Sequence, residues 1–115
     1  MALQAGATMC DIMGDQFDPS AYELTTEPSA VKKQKEWIRR IHDMGGEVLM
    51  SSHIYEFLPQ SQVLDIVKHQ QERGADIAKI VTYVNNEDEM MQNFHTMLKM
   101  KEELSIPFLF LANGP

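Results

Sequence analysis

Only one cysteine, Cys10, occurs in the 115-residue chain, so no disulfide can form within it and the sequence suits a reducing compartment. Its apolar, strand-like surroundings fit an inert packed thiol better than a reactive one. Long apolar runs are also lacking. None approaches the roughly 20 residues that span a bilayer, and the first residues have neither the basic cluster nor the apolar core of a leader. A soluble, cytoplasmic protein with no membrane partner is expected. Basic residues are scarce: 10 Lys and Arg against 17 Asp and Glu give a net charge of -7. That balance disfavours a strongly basic face and argues against nucleic acid as a partner. The densest basic stretch, 32–40, contains Glu36 within a helical pattern and reads as a solvated helix face. His42, His69 and His95 fall on helical patterns among polar neighbours and read as solvated. With no HExxH or comparable ligand spacing, neither a metal nor a cofactor is expected.

What is present belongs to one ordinary domain, with 43% hydrophobic and 23% charged residues. Residues 1–6 read as a helix tail, with Gly6 suited to the C-cap. A strand follows at 8–13, then a long polar loop at 14–28, a length that favours an active-site or interface role. A helical period from 29 places Val31, Trp37, Ile38, Ile41 and Met44 on one face and stops at Gly45-Gly46. Strand 47–52, helix 61–73 with Gly74 as its stop, and strand 76–84 come next. Asn86 and Glu89 form a capping box for a third helix, whose apolar side carries Met90, Phe94, Met97, Leu98 and Leu104. Strand 107–112 ends the pattern. The nine methionines read as core filling.

The strands are near-continuous apolar runs, as in a parallel sheet covered by helices. Residues 3–12 weakly echo 71–80, each a helix end, a Gly-Ala and a strand. The fold class is therefore α/β: a parallel β-α repeat of about four strands and three helices. It is either half of a (β/α) barrel or an open sheet, because four strands cannot close a barrel that takes eight. Either way two sheet edges are left open, and self-association or assembly with a complementary fragment is expected.

Lys79 is the least expected residue, a cation flanked by Ile77, Ala78, Ile80 and Val81. Burying it would cost free energy unless it lost its proton, which makes a nucleophilic amine. At a sheet edge its ammonium would instead reach solvent. Alternation puts Ile77, Lys79 and Val81 on one face and Ala78, Ile80 and Thr82 on the other. His53 follows the preceding strand directly, at the rim where barrel enzymes place catalytic side chains. A lysine to form an imine and a histidine to move protons suffice for Schiff-base chemistry.

The run Val48-Leu-Met-Ser-Ser-His53, followed by Gly74-Ala-Asp-Ile-Ala-Lys79-Ile, resembles type I 3-dehydroquinate dehydratase. That family has a strand ending Ser-x-His and a next strand carrying Gly-Ala-Asp-Ile-x-Lys-Ile. The resemblance implies an eight-stranded barrel enzyme of the shikimate pathway, a carbon-oxygen lyase acting on the small molecule 3-dehydroquinate. By position Lys79 would be the imine-forming lysine and His53 the general acid and base. Asp11 and Ser51, within the same motifs, are the candidate substrate-binding residues.

The departures are informative. The residues after His53 are Ile54-Tyr55-Glu56-Phe57, where the family has Asp-Phe. The family's earlier strand ends Asp-x-Glu, the Glu orienting the histidine; here Asp11 is kept, Asp15 is nearby, and Met13 takes the Glu position. A methionine cannot accept the imidazole's proton or fix its tautomer. The resemblance covers the middle of the barrel as a single partial domain at 1–115, without the family's first and last strands. A non-catalytic α/β interaction module retaining the signature, and another Schiff-base lyase or aldolase, stand as alternatives.

Overall fold

The computed structural model describes residues 9–114; the helix tail expected at 1–6 lies outside them. The elements run β1 (Met9–Met13), a 3-10 turn (Ala21–Glu23), α1 (Pro28–Asp43), β2 (Glu47–His53), α2 (Gln60–Glu72), β3 (Ile77–Tyr83), α3 (Glu87–Glu103) and β4 (Phe108–Asn113). All neighbouring strands pair in parallel, and the spatial order β1-β2-β3-β4 is the chain order. A doubly wound open sheet reverses its order at a switch point. This sheet has none, which is the arrangement of consecutive barrel strands.

Period-two alternation decides which face is covered. Val48, Met50, Ala78, Ile80 and Thr82 are fully buried against the helices. Two clusters form on that side. Ile38, Ile41, Val48, Met50 and Ala75 make one; Val63, Val67, Ala78, Ile80, Met100 and Phe110 lie in the other. The opposite face carries Met9, Met13, Leu109 and Leu111 in the open, each at least 40% exposed. No helix of the described residues covers it.

The stops behave as their chemistry requires. Gly45 and Gly74 close α1 and α2 at φ of +82° and +106°, values that favour a residue without Cβ. Asn86 caps α3 by accepting from the Glu89 N–H at 2.8 Å. Glu89 reaches back one residue further than a capping box would, to the N–H of Asn85 at 2.8 Å.

The inward face of α3 corrects the sequence reading. Asn93, Thr96 and Met100 turn to the sheet, while Met90, Phe94, Met97 and Leu98 are exposed. The apolar stripe lies instead beside β4, where Met90, Phe94 and Met97 form a groove with Phe110 and Ala112. No further helix of the described residues packs there, so the stripe meets solvent. The methionines are corrected for the same reason. Of the described ones only Met50 and Met100 fill the core; Met9, Met13, Met44, Met90, Met91 and Met97 are exposed. Trp37 on α1 and Met44 at its C-cap are likewise more than a third exposed. His42, read as solvated, is paired: its Nε2 lies 2.7 Å from Asp76 Oδ2, which also accepts from the Val48 N–H at 2.7 Å.

Candidate active site

The parallel register brings the candidate residues onto the open face. Ser51 pairs with Lys79, and His53 pairs with Val81. Lys79 and His53 are therefore diagonal neighbours on adjacent strands. A strand spacing of about 4.8 Å and a rise of about 3.3 Å per residue put their Cα atoms about 8 Å apart. Asp11 and Ser51 join them across β1 and β2, the Ser51 hydroxyl donating to Asp11 Oδ1 at 2.7 Å. Ser51 is buried and Asp11 exposed. Lys79 is only half-buried, because no layer covers this face, and it has no ion-pair partner among the described residues. The burial weighed for it is thus only partial among the described residues.

The residue that sequence reasoning missed is Glu23. Its Oε1 accepts from the His53 backbone N–H at 2.6 Å and lies 2.8 Å from His53 Nδ1. Glu23 reaches there because the 14–27 loop folds back over the end of β2 rather than swinging free. Tyr22 and Glu23 have φ of 58° and 49°, a left-handed conformation that L-residues enter at a cost. Nothing in their side chains announces this, so the sequence carried no signal for it.

The loop is held from beneath. Gln34 Nε2 donates to the carbonyls of Gly14 at 3.0 Å and Gln16 at 2.9 Å. The buried Arg73 donates to the Gly14 carbonyl at 2.9 Å, to Gln34 Oε1 at 3.2 Å, and to the Thr25 carbonyl. Burial pushes the Arg73 guanidinium below its ordinary pKa, partly offset by nearby Glu72. Above, the Ser52 hydroxyl donates to the Glu23 carbonyl at 2.9 Å. Tyr22, His53, Ile54, Tyr55 and Glu56 line a shallow hollow at this end of the sheet.

Chemically the face offers an amine on a strand, a histidine oriented by a carboxylate, and a serine–aspartate pair able to meet a hydroxylated ligand. Among the described residues no group of three or more His, Cys, Asp or Glu is placed to hold a metal ion. No helix among them is long and apolar enough to cross a membrane.

The family description "Type I 3-dehydroquinase" matches residues 7–115. The chain belongs to that family. Solved structures share its fold. The 3-dehydroquinate dehydratase of Enterococcus faecalis superposes with a TM-score of 0.75 at 18% identity, covering 97% of this chain and 42% of that one. The type I enzyme of Clostridium difficile, solved with covalent modified comenic acid, gives 0.72 at 17% identity, covering 92% and 37%. That of Geobacillus kaustophilus gives 0.69 at 19% identity, covering 73% and 33%. This chain thus spans less than half the length of these structures, and its four strands and three helices form part of a (β/α) barrel. No curated protein matches it.

Proposed function

We propose that the chain carries the imine-forming part of a 3-dehydroquinate dehydratase site, converting 3-dehydroquinate to 3-dehydroshikimate in the cytoplasm. The observation that carries this reading is the placement of Lys79 and His53 on adjacent strands of one open face, in a chain of this family. The neutral Lys79 amine attacks the C3 carbonyl carbon, and water leaves to give an imine. The protonated imine draws electrons from the C2–H bond, and His53 takes that proton. The enamine then expels the C1 hydroxyl, which receives the proton from His53 and departs as water. Hydrolysis of the imine frees the product and the lysine, so the sum is loss of one water. Asp11 and Ser51 hydrogen-bond substrate hydroxyls.

The first and last strands of the family barrel are supplied from outside residues 1–115 in this reading. A second copy of the chain or a complementary fragment then closes the open face and the β1 and β4 edges. A half-exposed lysine with no ion-pair partner among the described residues favours a second reading, a non-catalytic α/β module keeping the family signature. Another Schiff-base lyase or aldolase would share the mechanism, and a panel of keto acids and sugar phosphates separates it.

Borohydride trapping is the test. The protein is incubated with 3-dehydroquinate, reduced, digested and searched by mass for an adduct, with Lys79→Ala as control. An adduct confined to Lys79 supports the dehydratase reading. Folded protein without an adduct at high substrate concentration would leave the non-catalytic module standing.

A further inference from the structure

We propose that Glu23 is the positioning residue of His53, doing from the β1–α1 loop what the end of β1 cannot do with Met13. The proposal rests on the reading of Lys79 and His53 given above.

The geometry is specific to a ring-orienting role. A carboxylate can only accept, so the nitrogen facing it, Nδ1, must carry the hydrogen. Nε2 then holds the lone pair and is the atom left to take a proton. The same Oε1 also accepts the His53 backbone N–H, so the oxygen that fixes the tautomer is itself anchored to the residue it orients. The Glu23 side chain is 18% exposed and that of His53 36%, so the contact is partly withdrawn from water while the ring remains reachable.

Met13 cannot serve. It ends β1 opposite Ser51, on the same face as His53, and its thioether is at best a weak acceptor. Glu23 arrives ten positions later only through two successive non-glycine residues at positive φ. Such backbone persists when its surroundings over-determine it. Here they are the Ser52 hydroxyl on the Glu23 carbonyl, the bare Gly14 Cα beside it and Arg73 holding Thr25. A carboxylate that merely stapled the loop to β2 could satisfy the backbone N–H alone; this one also takes the ring.

The test is long-range ¹H–¹⁵N NMR of the His53 ring in the whole chain at neutral pH. Wild type should show Nδ1 protonated as a single tautomer. Glu23→Ala, and Glu23→Leu as the bulkier acceptor-free variant if the first fails to fold, should release the Nε2-protonated tautomer. An unchanged tautomer in a folded variant would overturn the proposal, whether or not Lys79 traps substrate. Where wild type does give the Lys79 adduct, the folded Glu23→Ala or Glu23→Leu variant should slow solvent exchange of the C2 hydrogen of 3-dehydroquinate at least tenfold. Exchange within twofold of wild type would equally overturn it. Absence of the adduct in wild type bears on the dehydratase reading alone.

Discussion

Gly14 and Glu23 meet backbone to backbone: a Cβ on Gly14 would collide with the Glu23 carbonyl oxygen and stand 2.9 Å from Ser52 Oγ. The absence of one methyl group at the end of β1 therefore lets the 3-10 turn close over β2. Gly14→Ala must push against backbone, which yields less than a side chain, so a loss of about 1–3 kcal/mol is expected from overpacking. Chemical denaturation measures it. A variant as stable as wild type would show that the turn does not seat this closely.

Arg73 carries the next expectation. Arg73→Met leaves the Thr25 carbonyl and Gln34 Oε1 without their donor, while Gly14 keeps bonds from Gln34 and Thr25. Two abandoned acceptors are destabilising, offset in part by no longer burying a cation. The net loss should be about 1–3 kcal/mol. Hydrogen exchange should quicken at Thr25 and in the 3-10 turn before it does in α2.

Tyr22 gives a pH dependence. Hydrogen bonding to the Glu56 carboxylate, then repulsion of the phenolate by the same carboxylate, then slight burial, raise the Tyr22 pKa. A folded pKa above the unfolded one favours the neutral phenol. The contribution is therefore complete below the ordinary tyrosine value of about 10 and is lost as pH rises through the folded value. The stability difference between wild type and Tyr22→Phe should stay constant at neutral pH and shrink above about pH 10. A difference that grows there would reverse the sign.

Met100 and Met97 separate the two faces of α3. Met100 is fully buried, so Met100→Ala should cost about 2–5 kcal/mol through lost burial and a residual cavity. Met97 is 36% exposed, and Met97→Ala should stay within about 0.5 kcal/mol in the chain by itself. Thermal melts of both variants decide which face is inward, and equal losses would place the sheet-facing side wrongly.

Much of this was legible in the sequence. Strands came from continuous apolar runs, the α1 and α2 stops from Gly45 and Gly74, and the place of Lys79 inside one strand with His53 at the end of the strand before it from the same runs. The α3 face was not, because apolar count pointed to Met90, Phe94 and Met97 while the sheet takes the smaller Asn93 and Thr96. Buried Asn93 leaves both side-chain polar atoms unpaired, which no hydrophobic pattern would choose. Glu23 was illegible for a different reason. Its position depends on a local backbone reversal held by groups from β2 and α2, distant in sequence and joined only by the fold.

The identity of spatial and chain order has a consequence for how perturbations spread. Each strand pairs only with its neighbours in chain order, so the sheet is built like a short repeat array. The cluster around Ile38 and the cluster around Phe110 are separate, with Ile106 packing against both. Damage at one end should therefore stay at that end: losses from Ile38→Ala and Phe110→Ala should sum to within about 0.5 kcal/mol in the double variant. Strands added beyond β1 or β4 would extend the array without rewriting the units between.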